Sequence, residues 1–172
     1  FRSPLWATRS ATALLLVAAA LLGAPLPAAA QAWKRFAYDD AGFAVQLPAE
    51  PAKATSTLRL AGGAAAPTDT WTVSQPDVIY SMTVADVSKL GLGQEDVLEK
   101  AVGALSARGD IKVDVTERIN RQYGRQIALA GKDGSRSTLS IFVIDGRLLQ
   151  LEAKALPPDP LAASARTSRF HQ

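Results

Sequence analysis

Chemistry in this 172-residue chain has to be built without cysteine and with one imidazole, His171, which sits beside the carboxyl terminus. A general base or an activated nucleophile needs a positioned partner, and a histidine at a frayed end does not provide one. Zinc sites require several His or Cys ligands, which the composition rules out. No serine lies in a G-x-S-x-G elbow or an S-x-x-K pair. Carboxylates remain, as Asp39-Asp40 and as Glu95, Asp96 and Glu99. Neighbours on an extended segment point to opposite faces, so Asp39 and Asp40 read as a turn and not as a shared acid/base site. Glu95, Asp96 and Glu99 fit the start and solvated face of a helix, and no D-x-D-x-D-G loop supports calcium.

Gly91-Leu92-Gly93 lies between a strand and a helix, as a phosphate loop would. It lacks the third glycine of G-x-G-x-x-G, and the acidic run Glu95-Asp96 that follows would repel phosphate. Arg118, Arg121 and Arg125 are diluted by Glu117, Asn120 and Gln122, which describes a solvated strand or loop and not an anion patch. These residues assign no catalytic, cofactor-binding or metal-ligating position and no cofactor. The balance is against an enzyme. Trp33, Phe36, Tyr38 and Phe43 cluster upstream, with Trp71 and Tyr80 further on. Core packing is their first explanation, and a partner-binding anchor is the second.

The elements that carry these groups follow from periodicity. Phe43, Val45 and Leu47 alternate with small or polar residues until Pro48. A weaker segment spans 57–61, followed by Gly62-Gly63 and an alanine-rich turn closing at Pro67. Residues 70–74 and 78–87 read as two more strands around a Pro76-Asp77 turn. From Gln94 to Arg108 the period changes: Val97, Leu98, Ala101, Val102, Ala104 and Leu105 share one helical face. Gly109 suits the left-handed residue that ends such a helix. Alternation resumes at Ile111, Val113 and Val115. Lys132-Asp133-Gly134 and Asp145-Gly146 then link segments 125–131, 137–144 and 147–155 into a meander. Asp159 and Pro160 open a final helix. Four strands, a helix, four strands and a helix define an α+β fold: an antiparallel sheet of seven to eight strands with two main helices, in a single domain over residues 31–172.

Residues 1–30 read differently. Arg2 and Arg9 precede an uncharged apolar run from Ala11 to Ala24, Pro25 and Pro27 break it, and Ala28-Ala29-Ala30 offer a cleavage site. This is the pattern of a secretory signal peptide. The run of roughly 14 residues falls short of the roughly 20 that a spanning helix needs. No cysteine follows it for lipid attachment, and no paired arginines mark a twin-arginine signal. The chain starts at Phe1 and stops within an expected helix, so both ends are expected to be truncated. Without Arg2 and Arg9, the 19 basic side chains fall to 17 against 16 acidic ones. That near-neutral balance excludes a strong electrostatic pull on nucleic acid or on anionic membrane. Without disulfides, the exported domain must be held by its apolar core.

The segment Tyr38-Asp39-Asp40-Ala41-Gly42-Phe43-Ala44-Val45-Gln46-Leu47-Pro48-Ala49-Glu50-Pro51 resembles the opening of exported bacterial proteins of the PsbP-like α/β/α sandwich group. So do Tyr123-Gly124-Arg125, the hairpin from Phe142 to Leu151 and the closing stretch Ala165 to Phe170. The resemblance spans most of residues 36–170 and implies a fold and a compartment, not a catalytic site. Its eponymous members are accessory subunits. The expectation is therefore an exported, periplasmic or secreted protein with no stable membrane anchor after cleavage. It would be a non-enzymatic binding or assembly module that contacts another envelope protein. The alternatives are a small-molecule-binding protein, with a pocket between the sheet and the helix at 94–108, and a hydrolase using carboxylates.

Overall fold

The computed structural model describes residues 32–119, 121–164 and Phe170; the segment read as a signal peptide and His171 lie outside them. A short hairpin opens the domain, β1 (Lys34–Tyr38) pairing antiparallel with β2 (Phe43–Leu47). β3 (Ala52–Arg59), β4 (Ala65–Ser74) and β5 (Val78–Asp86) form a meander. Helix α1 (Gln94–Leu105) then crosses to a second meander of β6 (Gly109–Ile119), β7 (Gln122–Gly131), β8 (Arg136–Ile144) and β9 (Arg147–Ala155). The two meanders join where β5 pairs with β9, giving one antiparallel sheet in the order β3-β4-β5-β9-β8-β7-β6. No helix among the described residues is long and apolar enough to cross a membrane.

The period-2 and period-3.6 patterns meet on one face of this sheet. Val97, Leu98, Ala101, Val102 and Leu105 of α1 pack on Ala85, Ile127, Leu139, Ile141, Val143 and Leu148. On the opposite face, Val45 and Leu47 of the hairpin join Val73, Val78, Tyr80, Ala153 and Ala155. Ala163 of the short helix α2 (Pro160–Ser164) and Phe170 complete that second cluster.

Four expectations need correction. Among the described residues there is one main helix, not two: α2 spans five of them, and the expected closing stretch 165–169 lies outside the described residues. Helix α1 ends at Leu105, and Gly109 does not cap it. Gly109 opens β6 and is glycine because a Cβ there would stand 2.1 Å from the Ala130 carbonyl oxygen across the ladder. β4 starts at Ala65 and runs through Pro67, which was expected to close a turn. Pro67 pairs with Thr57, while pairing with β5 begins only at Thr68, so Pro67 lies outside the β4–β5 ladder, where a missing N–H is tolerated. β1 was not anticipated as a strand.

Candidate functional site

The hairpin face carries three carboxylates, those of Asp39, Asp40 and Glu50, that lack partners among the described residues. Between β1 and β2 the turn Asp39–Ala41 closes at Gly42, whose φ of 76° lies in the left-handed region. The Gly42 N–H donates to the carbonyls of Tyr38 at 2.9 Å and Asp39 at 3.1 Å. A Cβ on Gly42 would come within 3.2 Å of an Arg147 guanidinium nitrogen, so the turn lies against the start of β9.

Aromatic rings fasten the hairpin to the sheet. Tyr38 and Phe43 face each other across the hairpin at 5.0 Å between centroids. Trp71 of β4 lies 4.9 Å from Tyr38 and 5.1 Å from Phe43. Trp33 and Phe170 meet Tyr80 edge-on at 5.2 and 5.4 Å. Such pairs contribute about 0.5–1.5 kcal/mol each beyond their buried area. Trp33, Phe36, Tyr38 and Phe43 are half-buried, and Trp71 and Tyr80 are buried. All six make packing contacts. Burial pushes the Tyr80 phenol up, and burial followed by the Glu50 charge does the same to Tyr38.

A groove of about 960 Å³ runs between the hairpin turn and β3–β5. Five carboxylates line it, those of Asp39, Asp40, Glu50, Asp69 and Asp86, against the two cations Lys53 and Arg147. Asp69 is satisfied: Lys53 Nζ stands 2.8 Å away and 5.0 Å from the Trp71 centroid, and the Thr55 hydroxyl donates at 2.9 Å. Those contacts hold its carboxyl below the usual range. Asp86 is likewise lowered, chiefly by the Ser88 hydroxyl at 2.6 Å and the Ser88 N–H at 3.1 Å. The carboxylates of Asp39, Asp40 and Glu50 have no hydrogen bond or ion pair among the described residues. The groove is therefore an anionic rim over a partly aromatic floor, suited to holding a cation.

A second cavity of about 720 Å³ opens on the other side of the hairpin, lined by Trp33, Phe43, Met82, Phe142, Leu149 and Leu151, with Arg35 as its charged group. The helix face differs. Where a pocket was expected between the sheet and α1, the described residues place an apolar cluster. Its polar feature is Glu152, 8% exposed, which accepts from Arg108 Nη1 at 2.9 Å, from Arg108 Nη2 and from the Ser137 hydroxyl at 2.6 Å. The Glu152 hydrogen bonds raise the Arg108 pKa, so this arginine serves β9 and not the helix end.

The sequence candidates disperse. Glu95 and Asp96 occupy the first turn of α1. Gly91, at φ 66°, closes a 3-10 turn ahead of it. Arg125 is held by Asp114 at 2.6 Å and approaches Glu95 at 3.9 Å, while Arg118 lies 5.3 Å over the Tyr123 ring. No group of three or more potential metal ligands occurs among the described residues. Sequence reasoning placed Asp39-Asp40 in a turn but did not bring Lys53, Asp69 and Arg147 to it, since those come from β3, β4 and β9.

These features define an α+β domain with a seven-stranded antiparallel sheet, one face under a helix and the other under a two-stranded aromatic hairpin. Its fold is PsbP-like. The solution structure of cyanobacterial PsbP (CyanoP) from Synechocystis sp. PCC 6803 is similar with a TM-score of 0.52 at 11% identity, covering 88% of this chain and 96% of that one. A protein of unknown function from Pseudomonas aeruginosa is more distant, with a TM-score of 0.39 at 10% identity, covering 79% and 94%. No family model matches the sequence. No curated protein matches it either.

Proposed function

We propose that this chain is an exported, non-catalytic binding module whose hairpin groove takes a basic segment of another envelope protein. One observation carries the reading: Asp39, Asp40 and Glu50 stand unpaired on the rim of a groove floored by Tyr38 and Trp71. Carboxylates in a concave, partly apolar site focus negative potential, and a lysine or arginine entering it gains charge-assisted hydrogen bonds with an aromatic surface alongside. The groove supplies carboxylates and rings, which is the chemistry of holding a cation. The uncharged run at residues 11–24 and the small residues after it support export.

The test is a nuclear magnetic resonance titration of labelled protein with a short lysine/arginine peptide and with a glutamate peptide of equal length. The basic peptide should shift amides at residues 38–42, at 50–55 and at Arg147, and Asp39→Lys with Asp40→Lys should abolish the response. Shifts on α1 alone, or none, would refute the groove as the site. A second reading, a small-molecule-binding periplasmic protein, is favoured by the apolar cavity beside Arg35. It gains if an anionic hydrophobic dye binds there and is lost from an Arg35→Glu variant.

A further inference from the structure

We propose that β6 is a self-association edge, along which two copies of this chain pair antiparallel about a two-fold axis at Thr116. β6 ends the sheet, so one side of its backbone has no partner strand among the described residues. The opposite edge, β3, carries Lys53, Thr55, Ser56, Thr57 and Arg59, a polar run of the kind that discourages edge pairing. β6 is charged too, through Asp110, Lys112, Asp114, Glu117 and Arg118, but unlike β3 it also exposes large apolar side chains. Val113, Val115 and Ile119 are 43%, 47% and 39% exposed, three of the five exposed large apolar residues among those described. All three lie on one face beyond the irregularity between Ile111 and Val113.

The charges choose the occupant and the register. On the other face of β6, Asp114, Thr116 and Arg118 follow at two-residue intervals. Arg125 fixes the Asp114 carboxylate at 2.6 Å, and Arg118 lies over Tyr123, so both charges are held at the edge. A two-fold axis at Thr116 sets Asp114 opposite the second copy's Arg118, twice, with the two threonines opposite each other. It also sets Val113 opposite the second copy's Ile119, twice. An axis at Asp114 or Glu117 would oppose like charges, and one at Val115 would form no opposite-charge pair. Cross-strand pairs of these types are the stabilising units of a sheet, and like charges directly opposite destabilise it. A closed isologous contact of this kind makes a dimer and not a fibre.

Sedimentation of the purified protein should show a concentration-dependent dimer. Arg118→Asp alone and Asp114→Arg alone should each raise the dissociation constant at least about tenfold. An equimolar mixture of those two variants should restore the dimer, because each then opposes Asp with Arg at both positions. The chain has no free cysteine among the described residues, so Thr116→Cys provides an independent check. Directly opposed residues lie about 4.5–5.5 Å apart, within disulfide reach, whereas diagonal neighbours at about 7–8 Å are not. Thr116→Cys should therefore cross-link under mild oxidation, and Val115→Cys should not. A monomer at the highest soluble concentration would overturn the proposal. So would a dimer indifferent to the charge exchange, or cross-linking at Val115→Cys in preference to Thr116→Cys.

Discussion

The two faces of the seven-stranded sheet are covered to different depths. Under α1, Ile127, Leu139 and Ile141 are fully buried and Val97 and Leu148 nearly so, with Glu152 saturated by three donors. Under the hairpin, Leu47, Trp71 and Tyr80 are buried, but Trp33, Phe36, Tyr38 and Phe43 are half-buried, two cavities open beside them, and three carboxylates lack partners. A helix twelve residues long seals its face by apolar packing. A hairpin of two five-residue strands spans its face without sealing it. Stability should therefore reside mainly on the helix face, and binding on the hairpin face.

The largest separation should come from truncating each layer in turn. Leu139→Ala or Ile141→Ala should lower the unfolding free energy by about 2–5 kcal/mol, since each removes a wholly enclosed side chain. Phe36→Ala, which trims a half-buried ring, should cost less than either in the same denaturant titration. Equal losses would dissolve the contrast between the faces. Next, Glu152→Ala should cost about 1–3 kcal/mol by stranding Arg108 and Ser137, while Glu152→Gln should recover part of that loss.

Acid should act on exposed carboxylates on both sides. Asp69, Asp86 and Asp133 are held below the usual carboxylate range, Asp133 chiefly by Lys154 at 2.7 Å and Ser135 at 2.5 Å. A lowered folded-state pKa contributes stability that is complete above the ordinary carboxylate range and is lost as pH falls through the folded value. The melting temperature should thus decline on acidification below the ordinary range, and Asp133→Asn should flatten that decline. The smallest effect on stability should come from Asp39→Asn with Asp40→Asn, within about 0.5 kcal/mol of the parent. The same change should weaken binding of the basic peptide, separating function from folding.

The helix face was legible because its information is local. Apolar residues at helical spacing from Val97 to Leu105, and alternation from Ile127 to Leu148, announce which sides must be buried. Asp145-Gly146 fixes one hairpin register, with φ of 49° and 72° as a two-residue turn requires. The hairpin face was not legible. Lys34 to Tyr38 carries two charges in five residues and becomes a strand through pairing with β2 and contact of Tyr38 with Trp71 on β4. The groove needs Asp39, Lys53 and Arg147 together, which depends on β9 inserting beside β5 rather than on any spacing along the chain. Pro160 marked the start of α2 correctly, because a proline at the first helical position is a local signal.

Cross-linked purification from native envelope extract tests the central claim most directly. Tagged protein would be compared with its Asp39→Lys, Asp40→Lys variant and with a tag-only control, by quantitative mass spectrometry. The account predicts one stoichiometric partner, cross-linked through Lys53 to a basic segment and lost from the variant. A partner retained in full by the variant, or none above the control, would contradict it.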